Sequence, residues 1–278
     1  MSLAAISAIT LAATGCNKIK LGYEYADWVV TYSVEDNFDL EKPQRIQLKD
    51  DVHAYFRWHR KDLLPVYADF AEWIADNARN GIQTSEVDSG YHRYRELYRR
   101  TLEPTVEKSV NLLITLTPGQ VDQWLERVHK KNAKQRRDFS GSLDERLDHR
   151  YGKIIDELED WTGKLSKEQR NRIKVLNRTL PWNSGLRLEL REKVQEHLAG
   201  ILKKKASREE IHGYLANYVM DTDSLKSEEY RVQCREFDSR LRTMVYQIHN
   251  ILNPEQKRRF IQQVEKLGRD FRTLSAQD

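Results

Sequence analysis

Apolar side chains recur at steps of three and four along most of the chain, which is the spacing of one face of an α-helix. The spacing is clearest between residues 143 and 161 and again between residues 260 and 274. The pattern predicts an all-α fold, a multi-helix bundle with long antiparallel helical hairpins. The helices on either side of Ser140 and Gly141 could form one such hairpin. In the C-terminal half, helices are predicted near 166–178, 185–204, 207–220, 224–250 and 254–274.

Proline and glycine mark the expected helix ends. Pro65 predicts two helical segments that meet near Leu64, and Gly81 suits the position just past a helix end. Glu103 and Pro104 are expected to start a further helix. The clearest break is Leu-Pro-Trp-Asn at 180–183, which is the candidate boundary if the helical body contains two subdomains.

The N-terminus reads as a processing signal. Residues 3–15 carry no charge, a run too short to span a bilayer but long enough for the apolar core of a signal peptide. Ala12-Ala13-Thr14-Gly15-Cys16 resembles the lipobox of bacterial lipoproteins. The resemblance implies cleavage after Gly15, lipidation of Cys16, a signal peptide at 1–15, a lipid-anchored N-terminal segment at 16–38 and a helical body at 39–278. The alternative is a hydrophobic N-terminal helix with an incidental cysteine.

The same resemblance gives an expected location. A lipid-anchored protein of this kind is attached to the membrane of the bacterial cell envelope through Cys16 and faces the periplasm. Asn17 follows the cysteine, whereas Asp there would resemble an inner-membrane retention signal, so the outer membrane is expected. No Lys or Arg precedes the apolar run, which suggests that translation starts upstream of Met1.

Charge is nearly balanced, with 47 basic and 43 acidic residues and a formal net charge of +4. Because the two signs are interspersed, no nucleic acid is expected as a partner. The main exception is one basic stretch, which is either a solvated helix face or a contact patch for anionic phospholipid, lipopolysaccharide or an acidic partner. The stretch contains Lys130, Lys131, Lys134, Arg136 and Arg137.

A short motif, Leu followed four residues later by Gln, occurs at 40–44, 116–120, 165–169 and 252–256. The irregular spacing between copies excludes a solenoid of fixed period. Helix capping explains most of the pattern, because a capping residue three positions before Gln is the signature of a helix start. The predicted capping residues are Thr117 with Gln120, Ser166 with Gln169 and Asn253 with Gln256.

Two family resemblances bear on function. Leu116-Thr117-Pro118-Gly119-Gln120 resembles the LTxxQ motif of the periplasmic Spy/CpxP proteins, which are helical chaperones or stress-sensor adaptors. The wider pattern is similar to a family of uncharacterised proteobacterial lipoproteins, which implies a lipoprotein address and supplies no activity. That pattern consists of Tyr23-x-Tyr25-Ala-Asp27-Trp28, Phe38-Asp39-Leu40, Gln44, Trp58-His59-Arg60 and Leu64-Pro65-x-Tyr67.

Candidate chemistry is sparse. The eight histidines form no His-Glu-x-x-His pair. His53 with Asp50, or His149 with Asp144 and Asp148, could bind a divalent ion, but surface histidines among carboxylates are common. No metal ligand and no cofactor is therefore predicted. Trp58-His59-Arg60 beside Asp62 is the most distinctive polar cluster, but neighbouring residues of a helix point in different directions, so no catalytic residue is predicted. Cys234 is expected to be a buried, inert thiol.

The sequence favours a protein that acts by binding. It is either a scaffold or adaptor for envelope proteins or a chaperone for unfolded clients. The alternative is an envelope enzyme, such as a hydrolase acting on a cell-wall or lipid substrate.

Overall fold

A computed structural model describes residues 22–277, and this part of the chain is helical almost throughout. The all-α prediction is confirmed. The helices are α1 (Ala26–Phe38), α2 (Lys42–Trp58), α3 (Leu64–Asn80), α4 (Thr84–Leu113), α5 (Pro118–Asp138), α6 (Leu143–Thr162), α7 (Lys167–Thr179), α8 (Ser184–Lys203), α9 (Arg208–Met220), α10 (Glu228–Ile251) and α11 (Pro254–Ser275). A π-helical turn covers His59–Leu63, and a 3₁₀ turn covers Thr222–Leu225.

The described residues divide into two compact units that alternate along the chain. Unit 1 contains residues 22–63, 98–138 and 184–227, and unit 2 contains residues 64–97, 139–183 and 228–277. One change of unit falls between Asn183 and Ser184, next to the predicted break at 180–183. Each unit is therefore assembled from three separate stretches of sequence.

In unit 1, α1 packs against α2 and α5, and α8 packs against α5 and α9. The centre of its core is Trp124 of α5, which is fully buried and stacks on Phe38 at the end of α1, with ring centroids 5.4 Å apart. Val110 and Ile211 belong to the same apolar cluster. Burying aromatic rings of this size contributes strongly to stability, so the end of α1 is fixed to α5.

In unit 2, α11 packs closely along α3, and α6 packs against α7 and α11. The contact between α3 and α11 is made by small side chains, since Ala68 and Ala71 of α3 lie beside Gly268 of α11. A Cβ atom on Gly268 would lie 3.5 Å from the Ala68 carbonyl oxygen and from the Ala71 Cβ. A second apolar cluster in this unit contains Ile173 of α7 and Met244 of α10.

Two α-helical segments meet near Pro65, as the sequence predicts, and a π-helical turn connects them. A proline inside an α-helix lacks an N–H group, and its ring collides with the carbonyl four residues earlier. The wider π-helical turn at His59–Leu63 precedes α3, which starts at Leu64. Such turns are one of the known ways in which a helix accommodates a proline.

One sequence prediction about a helix start is wrong. Pro104 does not start a helix, because it lies inside the 30-residue helix α4. Its neighbours Leu102 and Val106 are buried in packed surfaces, and burial of this kind offsets the cost of an interior proline. Within unit 1, α5 packs against α1 and α8, and within unit 2, α6 packs against α7 and α11.

Candidate functional site

The four Leu-x-x-x-Gln motifs all lie at helix starts. Gln44, Gln120, Gln169 and Gln256 are each the third residue of their helix, α2, α5, α7 and α11 respectively. The side-chain oxygen of each glutamine accepts a hydrogen bond from the backbone N–H three residues earlier, at distances of 2.8 to 2.9 Å. This is the glutamine half of a capping box, and it satisfies a backbone donor that the helix itself leaves free.

The capping residues supply the other half of the box. Ser166 Oγ accepts from the Gln169 backbone N–H at 3.2 Å, and Asn253 Oδ1 accepts from the Gln256 backbone N–H at 2.9 Å. Thr117 Oγ1 takes the same position at 3.3 Å from the backbone nitrogen of residue 120. The structure therefore places all six predicted capping residues at helix starts, in the geometry that capping requires.

The glutamines are also paired with each other, which the sequence analysis missed. In unit 1 the Gln44 amide donates to Gln120 Oε1 at 3.2 Å, and the Gln120 amide donates to Gln44 Oε1 at 2.7 Å. In unit 2 Gln169 and Gln256 exchange the same two bonds at 2.7 and 3.1 Å. All four side chains are buried. Each pair ties together two turns that are far apart in sequence.

The remaining amide hydrogens follow the same rule in both units. Each glutamine donates to the backbone carbonyl of the residue that precedes the leucine of its partner motif. The acceptors are Thr115 for Gln44 at 2.9 Å, Asp39 for Gln120 at 3.0 Å, Ile251 for Gln169 at 2.7 Å and Lys164 for Gln256 at 3.0 Å. Both hydrogens and both acceptor sites of every amide are thus occupied, so these side chains hold the fold and have no capacity left for a ligand.

The predicted basic patch is partly neutralised by neighbouring side chains. Lys130 lies 2.5 Å from Glu126, Lys131 lies 3.7 Å from Asp36 of α1, and Arg136 lies 2.5 Å from Glu192 of α8. Within residues 22–277, Lys134 and Arg137 are exposed and take part in no ion pair of this kind. The five residues share α5, and two of them leave their charge open to solvent.

His59 is a structural histidine. Its side chain is buried, and the Tyr23 hydroxyl lies 3.0 Å from Nδ1. Burial lowers the pKa of His59 to about 4, so the ring is neutral at physiological pH. The ring lies among aromatic neighbours that include Tyr55 and Trp58, whereas Asp62 is exposed. The side chains of His59 and Asp62 therefore point in different directions, as expected for residues of one helical segment.

The structure places His53 and the carboxylates near His149 beside partners other than a metal ion. His53 Nε2 lies 3.4 Å from Asp27 of α1, whereas the sequence pointed to Asp50 as its neighbour. Asp144 and Asp148, the neighbours of His149, contact the guanidinium group of Arg178 at 2.6 and 3.5 Å. In the part of the chain that the structure describes, no three His, Cys, Asp or Glu side chains are grouped so that they would hold a metal ion.

A cavity of about 80 Å³ lies inside unit 1, lined by apolar residues such as Leu198 and Leu215 and by Trp124, Arg191 and Tyr218. Burial lowers the pKa of Arg191 and raises that of Tyr218, and the Arg191 guanidinium donates to Gln135. Sites for small-molecule ligands usually enclose roughly 300 to 1,000 Å³. This cavity is smaller than such sites and has room for a few water molecules.

An exposed aromatic stripe lies at the start of the described chain, and the sequence analysis did not find it. Tyr25, Trp28, Val29 and Tyr32 are 57%, 63%, 41% and 58% exposed. They follow the spacing i, i+3, i+4 and i+7, so they share one face of α1 and the residue before it. Trp28 and Tyr32 stack on each other with ring centroids 5.5 Å apart. The helical spacing was the signal that could have revealed this stripe.

The other face of α1 is buried. Ala26, Val34 and Phe38 belong to the buried residues of this helix, and Thr31 lies with them. Because one face is already packed in the core of unit 1, the aromatic stripe is free for contacts outside it.

The predicted lipidation and cleavage residues, Cys16 and Gly15, lie outside the described residues. Cys234 is half-buried, so the expectation of a fully buried thiol is wrong. Between Gly22 and Gln277, none of the helices combines the length and the apolar character needed to cross a bilayer.

Comparison with known proteins identifies a family. The model of a family described as "Family of unknown function (DUF6279)" matches residues 36–231. The match covers well over half of the chain, so the chain belongs to this family. Comparison with curated proteins and with solved structures found no match. The matched residues include three of the four glutamine motifs, and the aromatic stripe lies before them.

Proposed function

We propose that this member of DUF6279 is a lipid-anchored protein of the bacterial cell envelope that acts by binding other proteins. In this proposal the chain is cleaved after Gly15, attached through lipid on Cys16 and directed toward the periplasm, with the outer membrane as its site. Its helical body serves as a scaffold or adaptor for envelope proteins or binds unfolded clients as a chaperone. The anchor rests on the apolar run that ends at Gly15 and Cys16.

One contrast supports binding over catalysis. The four buried glutamines, Gln44, Gln120, Gln169 and Gln256, have their hydrogen-bonding groups occupied by the fold itself. The surface of unit 1, in contrast, offers an aromatic stripe and an open basic face. Extended, chemically simple surfaces of this kind suit contacts with macromolecules.

The basic face of α5 is the proposed contact for a protein partner. Lys134 and Arg137 carry charges without a counter-ion in the described structure, and the ion pairs of Lys130 and Arg136 are exposed. Exposed ion pairs contribute little stability, so these cations can exchange their present partners for carboxylates of another protein. An acidic segment of an envelope protein is therefore the preferred partner, and charge complementarity raises its rate of association.

The anchor is tested by replacing Cys16 with Ser. We expect loss of acyl labelling and release of the body into the soluble periplasmic fraction. Membrane attachment that survives the substitution would disprove the lipid anchor.

Protein binding is tested by crosslinking in living cells. A photo-crosslinking amino acid is placed at position 134 or 137, and at position 175 as the control, because Val175 is 65% exposed and lies in unit 2. We expect one discrete envelope partner, which indicates an adaptor, or a broad set of unfolded proteins, which indicates a chaperone. Capture at 134 and 137 that does not exceed capture at 175 would contradict a contact at this face.

A further inference from the structure

We infer that the aromatic stripe of α1 lies on the headgroup region of the same bilayer that holds the lipid anchor. The stripe consists of Tyr25, Trp28, Val29 and Tyr32. The inference rests on the proposed attachment at Cys16 and goes beyond it, because it names the surface of the folded body that faces the membrane.

The chain length between anchor and stripe is the first argument. Tyr25 follows Cys16 by nine residues. At most about 3.5 Å per residue, these residues span roughly 30 Å even when fully extended. A stripe on so short a tether meets the bilayer surface at a high effective concentration, so weak individual contacts suffice for binding.

The chemistry of the side chains is the second argument. Trp and Tyr rings are enriched where hydrocarbon meets water, because the ring is apolar and its N–H or O–H group needs a polar partner. Trp28 and Tyr32 are more than half exposed and stacked, so they offer one flat apolar surface with polar edges. A layer of lipid headgroups provides both environments at once.

Charge does not select one kind of lipid. Between the anchor and the end of the stripe, two lysines, Lys18 and Lys20, balance two acidic residues, Glu24 and Asp27. A segment without net charge is neither strongly attracted nor strongly repelled by anionic headgroups. The inferred contact therefore rests on the aromatic side chains, and zwitterionic vesicles test it without a contribution from lipid charge.

The first experiment uses the lipidated full-length protein reconstituted in phosphatidylethanolamine and phosphatidylcholine vesicles. Brominated phosphatidylcholine quenches tryptophan fluorescence at the membrane. We expect Trp28→Phe to remove most of the quenching, whereas Trp161→Phe in unit 2 leaves it unchanged. Equal quenching in Trp28→Phe and the wild type would overturn the inference, because Trp28 would then be away from the lipid.

The second experiment separates the stripe from the anchor. The mature chain, residues 16–278, with Cys16→Ser carries neither the acyl group nor the apolar run at 3–15, so its co-flotation with vesicles reports on the folded body. Adding Trp28→Glu should reduce the floated fraction about tenfold, while adding Val175→Glu, which changes an equally exposed residue, should not. Both positions are exposed, and circular dichroism melting verifies that each variant is folded.

The outcomes are distinct. Failure of acyl labelling on the wild type would contradict the anchor without changing the flotation result. Flotation that is insensitive to Trp28→Glu would overturn the stripe. If Trp28→Glu instead abolishes a concentration-dependent dimer in sedimentation velocity and vesicles bind nothing, the stripe is a self-association surface and the membrane inference is wrong.

Discussion

Gln44 and Gln120 each donate an amide hydrogen to the oxygen of the other, although 76 residues separate them. The same two side chains also complete the starts of their own helices, α2 and α5. One carboxamide thus serves both a local and a long-range contact. This double use requires a donor and an acceptor in one neutral group, which restricts the position to Gln or a close equivalent.

Gln120→Glu should destabilise unit 1 by about 3 kcal/mol, because it removes two buried donors and places acceptors against acceptors. The oxygens that lose their donors are Gln44 Oε1 and the Asp39 carbonyl. Urea unfolding followed by fluorescence measures the change. The matched control is Gln123→Glu, an exposed position on the same helix, which should have little effect. Similar losses in the two variants would contradict the role assigned to the pair.

Gln256→Glu should loosen unit 2 in the same way. We expect faster amide hydrogen exchange at the starts of α7 and α11, where Gln169 and Gln256 meet. The Gln44–Gln120 region provides the internal comparison, since its own amide pair is intact in this variant. A variant with unchanged exchange at Gln169 would show that the second pair carries no stability.

Thr117→Ala should cost about 1 kcal/mol, the usual loss when a capping hydroxyl is removed. Its hydroxyl accepts from the Gln120 backbone N–H, and Pro118 follows at the first helical position. Thr117→Ser retains the hydroxyl and should retain most of the stability. Thermal unfolding of both variants makes the comparison, and an equal loss in Ala and Ser would exclude capping as the cause.

Arg150→Lys should destabilise unit 2 by about 2 kcal/mol. The Arg150 guanidinium donates to the side chain of Asn177 at 2.7 Å and to the backbone carbonyls of Asn177, Leu180 and Pro181 at 2.7 to 3.2 Å. A lysine ammonium is a single point and cannot reach all four acceptors at the end of α7. Arg172→Lys, at an exposed position where the guanidinium pairs with Glu168, is the control for urea unfolding and should be neutral.

Acid should destabilise unit 1 through His59. Its pKa is about 4 in the folded protein and near 6.5 in an unfolded chain. Between these values the unfolded chain binds a proton that the folded protein does not, so stability is complete above about pH 6.5 and falls as the pH approaches 4. The difference corresponds to a loss of about 3 kcal/mol.

The check is a comparison of urea midpoints at pH 7.5 and pH 5 in the wild type and in His59→Asn. Asparagine is neutral throughout this range and can still contact the Tyr23 hydroxyl. The variant should lose less stability on acidification than the wild type. Burial also lowers the pKa of His249 in unit 2, so a smaller acid sensitivity should remain. An identical pH response in both proteins would show that His59 is not the titrating group.

The helices of this protein are predictable from sequence because their signals are local. The apolar spacing from residue 260 to 274 defines α11, and Asn253, Pro254 and Gln256 define where it starts. The prediction that a helix starts at Pro104 is wrong, because proline marks a helix start only where the preceding residues are not already helical. In α4 the buried neighbours Leu102 and Val106 keep the helix continuous.

The pairing of the glutamines was not predictable in this way. The sequence of the motif at 40–44 does not indicate that it pairs with the motif at 116–120. The pairing depends on which turns are brought together by the packing of α1, α2 and α5. The four copies of the motif were compatible with two pairs, but they did not show which copies pair. The aromatic stripe is visible as a helical spacing, but spacing alone does not tell which face of α1 is exposed.

The glutamine pairs also have a place in the order of folding. Helices and the turns between consecutive helices form from local contacts, whereas each amide pair closes a segment of 76 or 87 residues. Closing such a segment costs chain entropy before any bond is gained, so the pairs form after the turns exist. A chain in which one turn is misformed cannot make the reciprocal bonds and leaves a polar amide in an apolar interior. We therefore expect each pair to favour the correctly assembled unit over compact forms in which one turn is misplaced.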